Sequence, residues 1–343
     1  MQQRTIGTWT VGAIGFGSMW LSKWGRPSDE QGIATIHAAL DAGVTLIDTA
    51  DAYCLDDADT GHCERLIARA LREYGGRKDH VLVATKGGWT RPGGRWVCDG
   101  RPEHLRAACE ASLRALGVDV IDLYQLHHPD HKVPFEETIG AMADLQREGK
   151  VRMVGLSNVS LAQIDVAQRV VEIVSVQNMF NPWHRVDETN GVLAACQERG
   201  IAYLAYSPLG GGGRGRYVGE LPGIAAVAKR RGISPQRVVL AWLLATSPVM
   251  IPIPGGRRSE NIWDNVAAAS VTLDDAELAA IAQMGRTIRW ATMNAIRWAT
   301  RNDPVARHNA TMSDPVAETR KALRGAARRS VHAARRLAGS RLR

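Results

Sequence analysis

Apolar, β-branched runs alternate with amphipathic stretches along most of this chain. Strand-like runs fall at 11–16, 44–48, 80–86, 119–126, 151–156, 174–179, 202–206 and 249–253. Between them, apolar residues recur at i, i+3 and i+4 over 29–42, 62–74, 102–116, 135–148, 160–169, 187–199 and 235–246. That spacing predicts helices with one buried face. The third of them sets Ala107, Leu113 and Leu116 on its apolar side and stops at Gly117, a residue suited to the positive φ of a helix end. Two more helices are predicted at 258–269 and 274–284, and residues 4–17 hold two short β-prone runs split by glycines, a hairpin that would close one end of a barrel.

Strand and helix repeating in units of roughly 30–40 residues predict an α/β fold of the (β/α)8 barrel type, with a doubly wound sheet as the competitor. The first strand-to-helix turn decides between them. Its sequence, GFGSMW at 15–20, lacks the GxGxxG spacing of a dinucleotide-binding half, and no acid follows in strand context where such a half needs one. The longer connections, at 54–61, 87–100, 128–133, 180–186 and 207–221, all follow C-terminal strand ends, the face on which a barrel builds its site.

Composition adds a boundary. The net charge is +8, yet residues 285–343 hold fourteen Lys/Arg against three Asp/Glu, so the preceding body carries about −3. Residues 1–285 are therefore read as one barrel domain and 286–343 as a basic, Arg/Ala-rich extension, partly helical or disordered. The extension contains a near-repeat, IRWATMN and IRWATRN. It is compatible with self-association, with an acidic partner, or with unspecific phosphate attraction rather than specific nucleic-acid recognition. Five scattered cysteines without a CxxC pair argue against a disulfide scaffold and point to a reducing cytoplasm. The apolar run at 11–21 is glycine-broken and too short to span a bilayer.

The candidate chemistry starts in VTLIDTADAY, 44–53. Alone, the stretch reads equally as a strand followed by a capping aspartate. Strand three, however, ends in Lys86 and strand four in His127, which brings four polar groups, Asp48, Tyr53, Lys86 and His127, to one barrel level. A free phenol is a poor acid at neutral pH. A neighbouring ammonium favours tyrosinate and is expected to lower the phenol's pKa, an aspartate holds the ammonium, and a histidine orients a carbonyl oxygen. The set suits protonation of a carbonyl undergoing reduction.

At this point the chain resembles the aldo-keto reductases over about 10–284. The motifs are DTADAY (48–53), KGG after strand three, SLRALGVDVIDLYQLH (112–127), EGKVRMVGLSN (148–158), VQNMFN (176–181), AYSPLGGG (205–212) and IPIPGGRRSENIWDN (251–265), in family order. The resemblance implies NADPH-dependent reduction of a small-molecule aldehyde or ketone. Tyr53 would be the general acid, Lys86 and Asp48 would tune it, and His127 would position the carbonyl. It implies that Ser157, Asn158 and Gln177 hold the nicotinamide carboxamide and that Tyr206 stacks on the ring. Ser207, Leu209 and Gly210 would pass the pyrophosphate, and Gly255, Arg257, Asn261 and Asn265 would grip the adenosine end. Arg257 beside Arg258 suits a 2′-phosphate, which favours NADPH over NADH.

Trp20, Trp89 and Trp96 are expected to wall the substrate pocket, with Trp24 and Trp183 also just beyond strand ends, so a flat or apolar-faced substrate is expected. The motif set is most similar to the bacterial branch that includes pyridoxal reductases, and keto sugars and natural-product carbonyls stay open. Two departures stand out. Tyr53 is followed by Cys54 and a long acidic loop, CLDDADTGH, and His127, His128, Asp130 and His131 mimic a metal cluster, although no metal is expected. The rival reading is a cofactor-sensing binding or auxiliary subunit with little turnover.

Overall fold

The structure, a computed structural model, describes residues 2–287. A hairpin of β1 (Gln3–Ile6) and β2 (Trp9–Gly12) precedes the barrel. The parallel strands are β3 (Phe16–Gly17), β4 (Leu46–Asp48), β5 (Leu82–Gly87), β8 (Ile121–Leu126), β9 (Val151–Ser157), β10 (Ile173–Met179), β11 (Ala202–Tyr206) and β12 (Met250–Pro252). Between β5 and β8 lies a two-stranded hairpin of β6 (Trp89–Thr90) and β7 (Val97–Cys98). Neighbouring parallel strands pair in sequence order. The barrel closes where Gly15 N–H donates to the Pro252 carbonyl at 3.0 Å and Gly17 N–H to that of Pro254 at 3.1 Å, beside a parallel bridge between Gly17 and Gly255.

The helices are α1 (Asp29–Asp41), α2 (His62–Glu73), α3 (Pro102–Leu116), α4 (Phe135–Arg147), α5 (Leu161–Gln168), α6 (Val186–Thr189), α7 (Val192–Glu198), α8 (Pro222–Arg231), α9 (Pro235–Thr246), α10 (Ser259–Val266) and α11 (Asp275–Thr287). Local chemistry sets their ends. Ser160 and Gln163 form a reciprocal capping box at α5, Ser234 accepts from Arg237 N–H at α9, and Gly117 ends α3 at φ 68°. The helix expected at 187–199 is two helices, broken at Gly191 with φ 88°. The first strand, expected at 11–16, is likewise divided: its start belongs to the hairpin and only Phe16–Gly17 enters the barrel. Helix α8 and the β6–β7 hairpin were not expected.

Inside the barrel one strand phase carries both core and site. Leu46, Leu82, Ala84, Leu123, Met153, Ala202, Leu204, Ile251 and Ile253 pack into one apolar interior together with Ile6 and Val11 of the hairpin. Two residues further along the same phase stand Asp48, Lys86, Gln125 and Tyr206, and Ser157 stands four residues beyond Met153 on β9. Because a strand's side chains alternate with period two, the apolar filling continues into a polar layer at the C-terminal ends. The hairpin plugs the opposite end, so chemistry is confined to one mouth. Among the described residues no helix is long and apolar enough to cross a membrane. The expectations for 288–343 fall outside the described residues.

Candidate active site

Asp48 closes β4, Lys86 lies one residue from the end of β5, and the two strands are hydrogen-bonded neighbours. The Lys86 ammonium is fully buried, and it donates to Asp48 Oδ2 at 2.7 Å, to the Thr49 carbonyl at 2.6 Å and to Tyr53 Oη at 3.1 Å. All three of its protons are thus used. Since Tyr53 Oη accepts from Lys86, its own hydrogen points elsewhere. Asp48 Oδ1 accepts from Gln177 Nε2 at 2.7 Å and Gln125 Nε2 at 3.3 Å, and Gln177 also donates to Gln125 Oε1 at 3.3 Å. A lysine and carboxylate this deep persist because every charge has a partner, and removing one partner of such a pair costs roughly 3–5 kcal/mol.

Burial holds the Tyr53 phenol well above its ordinary pKa, with the Asp48 charge acting in the same direction. This is opposite to the lowering expected from Lys86, because desolvation of a tyrosinate outweighs the neighbouring ammonium. Burial likewise lowers the Lys86 ammonium, against the pull of Asp48. His127 is pushed well below 6.5, first by burial and then by Lys86, so the imidazole is neutral. Its ring meets Tyr53 edge-on at 5.6 Å, and its buried Nδ1 has no hydrogen-bond partner. A protonated phenol and a neutral imidazole therefore face the mouth together. Asp51 and Glu64 lie beneath, both with carboxyls raised by burial, Glu64 to about 7 while it accepts from Thr85 Oγ1 at 2.5 Å.

The neighbouring strand ends assemble the remaining expected residues. Ser157 Oγ donates to the Gln177 carbonyl at 2.7 Å. Asn158 stands at φ 60°, uncommon for a residue with a side chain, and this places its amide between two strands. Its Nδ2 donates to the His127 carbonyl at 2.9 Å, and its Oδ1 accepts from Tyr206 Oη at 2.8 Å. The Gln177 side chain turns inward to Asp48, so it meets Ser157 and Asn158 only through its carbonyl. Ser207, at φ 50°, begins a loop in which Gly210, Gly211, Gly212 and Gly213 all have positive φ. A Cβ on Gly211 would fall 2.7 Å from Ser207 Oγ, and one on Gly210 would fall 2.8 Å from Trp183. Such a side-chain-free turn exposes backbone N–H groups to close approach, which fits an extended dinucleotide with its pyrophosphate. Leu209 packs beneath the turn, against the main core.

Helix α10 begins just after Gly255 and Arg257. Asn265 is buried and Asn261 exposed, four residues apart on one face, while Arg257 Nη1 donates to the Gly25 carbonyl at 2.6 Å. Trp89 and Trp96 come from the β6–β7 hairpin segment and lie edge-on to each other at 5.6 Å and to His127 at 6.3 and 5.9 Å. Trp20 lies against Gly255 at the barrel seam, where an added Cβ would be 2.9 Å from its ring.

The acidic loop after Cys54 has its own order. Buried Arg91 donates to the carbonyls of Ala52 at 3.4 Å, Leu55 at 3.2 Å and Gly94 at 2.6 Å, and its backbone N–H donates to Asp57 Oδ1 at 3.1 Å. Asp59 pairs with Arg26 at 2.6 Å. Cys54 is buried, and its thiol is raised to about 12 by desolvation, which makes it a poor nucleophile. In the His/Asp run, Asp130 accepts from the N–H groups of Gly100 and Lys132, and His128 Nδ1 contacts the Pro129 carbonyl. Three contributors were missed from sequence: Gln125, Lys23 and Arg91. Gln125 had a signal, since it lies two residues before His127 on the same phase. Lys23 and Arg91 come from loops whose path no periodicity describes.

Known proteins share this fold. The sequence model of the Aldo/keto reductase family matches residues 13–286. An uncharacterised oxidoreductase of Schizosaccharomyces pombe is 36% identical over 289 residues, covering 82% of this chain and 89% of that one. The aldo-keto reductase str7 of Strobilurus tenacellus is 34% identical over 320 residues, covering 82% and 91%. Among solved structures, an aldo-keto reductase from Klebsiella pneumoniae in complex with NADPH superposes with a TM-score of 0.68 at 29% identity, covering 84% of this chain and 95% of that one. With the family matched over most of its length on a barrel of this kind, the chain belongs to the aldo/keto reductase family and is an oxidoreductase.

Proposed function

We propose that this protein reduces an aldehyde or ketone to an alcohol with NADPH, and that Tyr53 delivers the proton. One observation carries the reading. Lys86 spends its three donors on Asp48, the Thr49 carbonyl and Tyr53 Oη, which directs the Tyr53 hydroxyl hydrogen away from the lysine, and the ring of neutral His127 stands edge-on to the phenol at 5.6 Å. Tyr53 and His127 then act on one oxygen, the imidazole orienting it and the phenol protonating it. Asp48, held by Gln177 and Gln125, keeps Lys86 charged and in place as the phenol loses its proton.

NADPH, when bound, supplies the hydride. The residues that would hold it are Ser157, Asn158, Gln177 and Tyr206 at the nicotinamide, Ser207, Leu209 and Gly210 at the pyrophosphate, and Gly255, Arg257, Asn261 and Asn265 at the adenosine end. The NADPH complex of the Klebsiella relative supports the choice of cofactor. Trp89 and Trp96 beside His127 favour a flat-faced carbonyl such as a pyridoxal-like aldehyde, and keto sugars and natural-product ketones are the further classes to try.

The test is NADPH consumption across such a panel with the native chain and Tyr53→Phe. The substitution is expected to lower kcat by roughly 100-fold or more without loss of the folded state. An unchanged kcat would remove Tyr53 from the chemistry. NADPH binding without consumption on any aldehyde would favour a cofactor-sensing role.

A further inference from the structure

Lys23 follows the first barrel strand and is only 2% exposed. Its Nζ lies 4.7 Å from the centroid of the Trp96 ring, and Arg91 lies over the same ring at 4.3 Å. Trp96 in turn touches His127 edge-on, so this cation belongs to the wall of the catalytic mouth. Among the described residues no carboxylate pairs with Lys23. The acidic loop beside it does not answer the charge, because each of its aspartates is engaged elsewhere. Asp56 accepts from Ala58 N–H, Asp57 from Arg91 N–H, and Asp59 from Arg26 and Leu55 N–H.

The same wall holds other unused donors. Trp96 Nε1 and Arg91 Nε are buried without an acceptor. A buried donor without an acceptor is costly, and a buried cation more so. The ring faces of Trp96 attract the ammonium but accept few of its hydrogens. Burial, with Arg91 adding repulsion, lowers the Lys23 ammonium to about 7, and an anion beside it would restore the charge. This wall is thus rich in positive charge and donors and poor in acceptors.

We propose that the carbonyl substrate carries an oxyanion, and that this group docks on Lys23 and the Trp96 Nε1–H while its carbonyl faces Tyr53 and His127. The inference rests on the carbonyl-reductase reading and narrows its substrate class. Carboxylates and phosphate esters share the required chemistry.

Three aldehydes of one shape test it: 4-carboxybenzaldehyde, 4-formylphenyl phosphate and methyl 4-formylbenzoate, each followed by NADPH consumption. At least one of the two anions is expected to exceed the neutral ester in kcat/KM by roughly tenfold or more, chiefly through KM. The anion that does so identifies the group. Lys23→Met should bring that ratio close to one, and Lys23→Arg should keep most of it. An ester as good as both anions, or a preference that survives Lys23→Met, overturns the inference and leaves carbonyl reduction standing. A structural role for Lys23 would lower all three aldehydes together with the ratio intact, which also overturns it. If none of the three is reduced, this inference falls, and the wider carbonyl panel decides the carbonyl-reductase reading on its own.

Discussion

The four residues at the centre of this site are held by opposing electrostatic demands. Desolvation keeps Tyr53 protonated and His127 neutral, and Lys86 stays charged through Asp48. The direction of each shift sets a test. A histidine whose folded pKa lies well below 6.5 binds no proton in the neutral range. The NMR shift of the His127 ring proton is therefore expected to stay flat from about pH 5.5 to 8. A titration centred near 6.5 would show that the ring is hydrated and that the pocket is more open than described. Gln125 makes a related point. It is opposite Lys86 in the β5–β8 register and supplies Asp48 with a second amide donor.

At the scale of elements, the unusual part is the loop after Tyr53. In sequence it stands out as long and acidic, and in the fold Arg26 and Arg91 organise it. Arg91 holds the loop through three backbone carbonyls, to which its guanidinium donates. Arg91→Ala is expected to cost about 2 kcal/mol or more, since buried acceptors lose charged donors. Urea unfolding measures this, and earlier proteolytic cleavage within 54–61 should accompany it. A variant as stable as the native chain would mean that the loop is held by its own turns. The elements that escaped the sequence reading are instructive too. Helix α8 carries the ordinary signals, a proline at its first turn and Gly232 at its end, but it is only ten residues long and follows a glycine-rich loop. The β6–β7 hairpin has two residues per strand, too few for period-two alternation to show.

At the scale of the molecule, closure depends on close backbone approach at one seam. A Cβ on Gly17 would lie 2.7 Å from the Ile253 carbonyl oxygen, so the strands could not stay in register. Gly17→Ala is expected to destabilise by roughly 1–3 kcal/mol. Gly140, within α4 and with open space around its Cβ position, is the contrast, and Gly140→Ala should stabilise by up to about 1 kcal/mol. Thermal unfolding of the two variants against the native chain decides. Equal midpoints would mean that the seam can relax.

What the sequence determined by itself was everything carried by periodicity and by local order. The strand and helix alternation specified the barrel, and the phase within each strand put Asp48, Lys86 and His127 at one end. Both are short-range patterns, because burial of one face repeats with the geometry of the element. Only the tertiary structure decided which groups pair across strands. It turned Gln177 toward Asp48, set Trp20 at the seam, brought Lys23 over Trp96, and let desolvation override the lysine's effect on Tyr53. These depend on loop paths and on the loss of water at one mouth, and neither quantity is written in the spacing of residues along the chain.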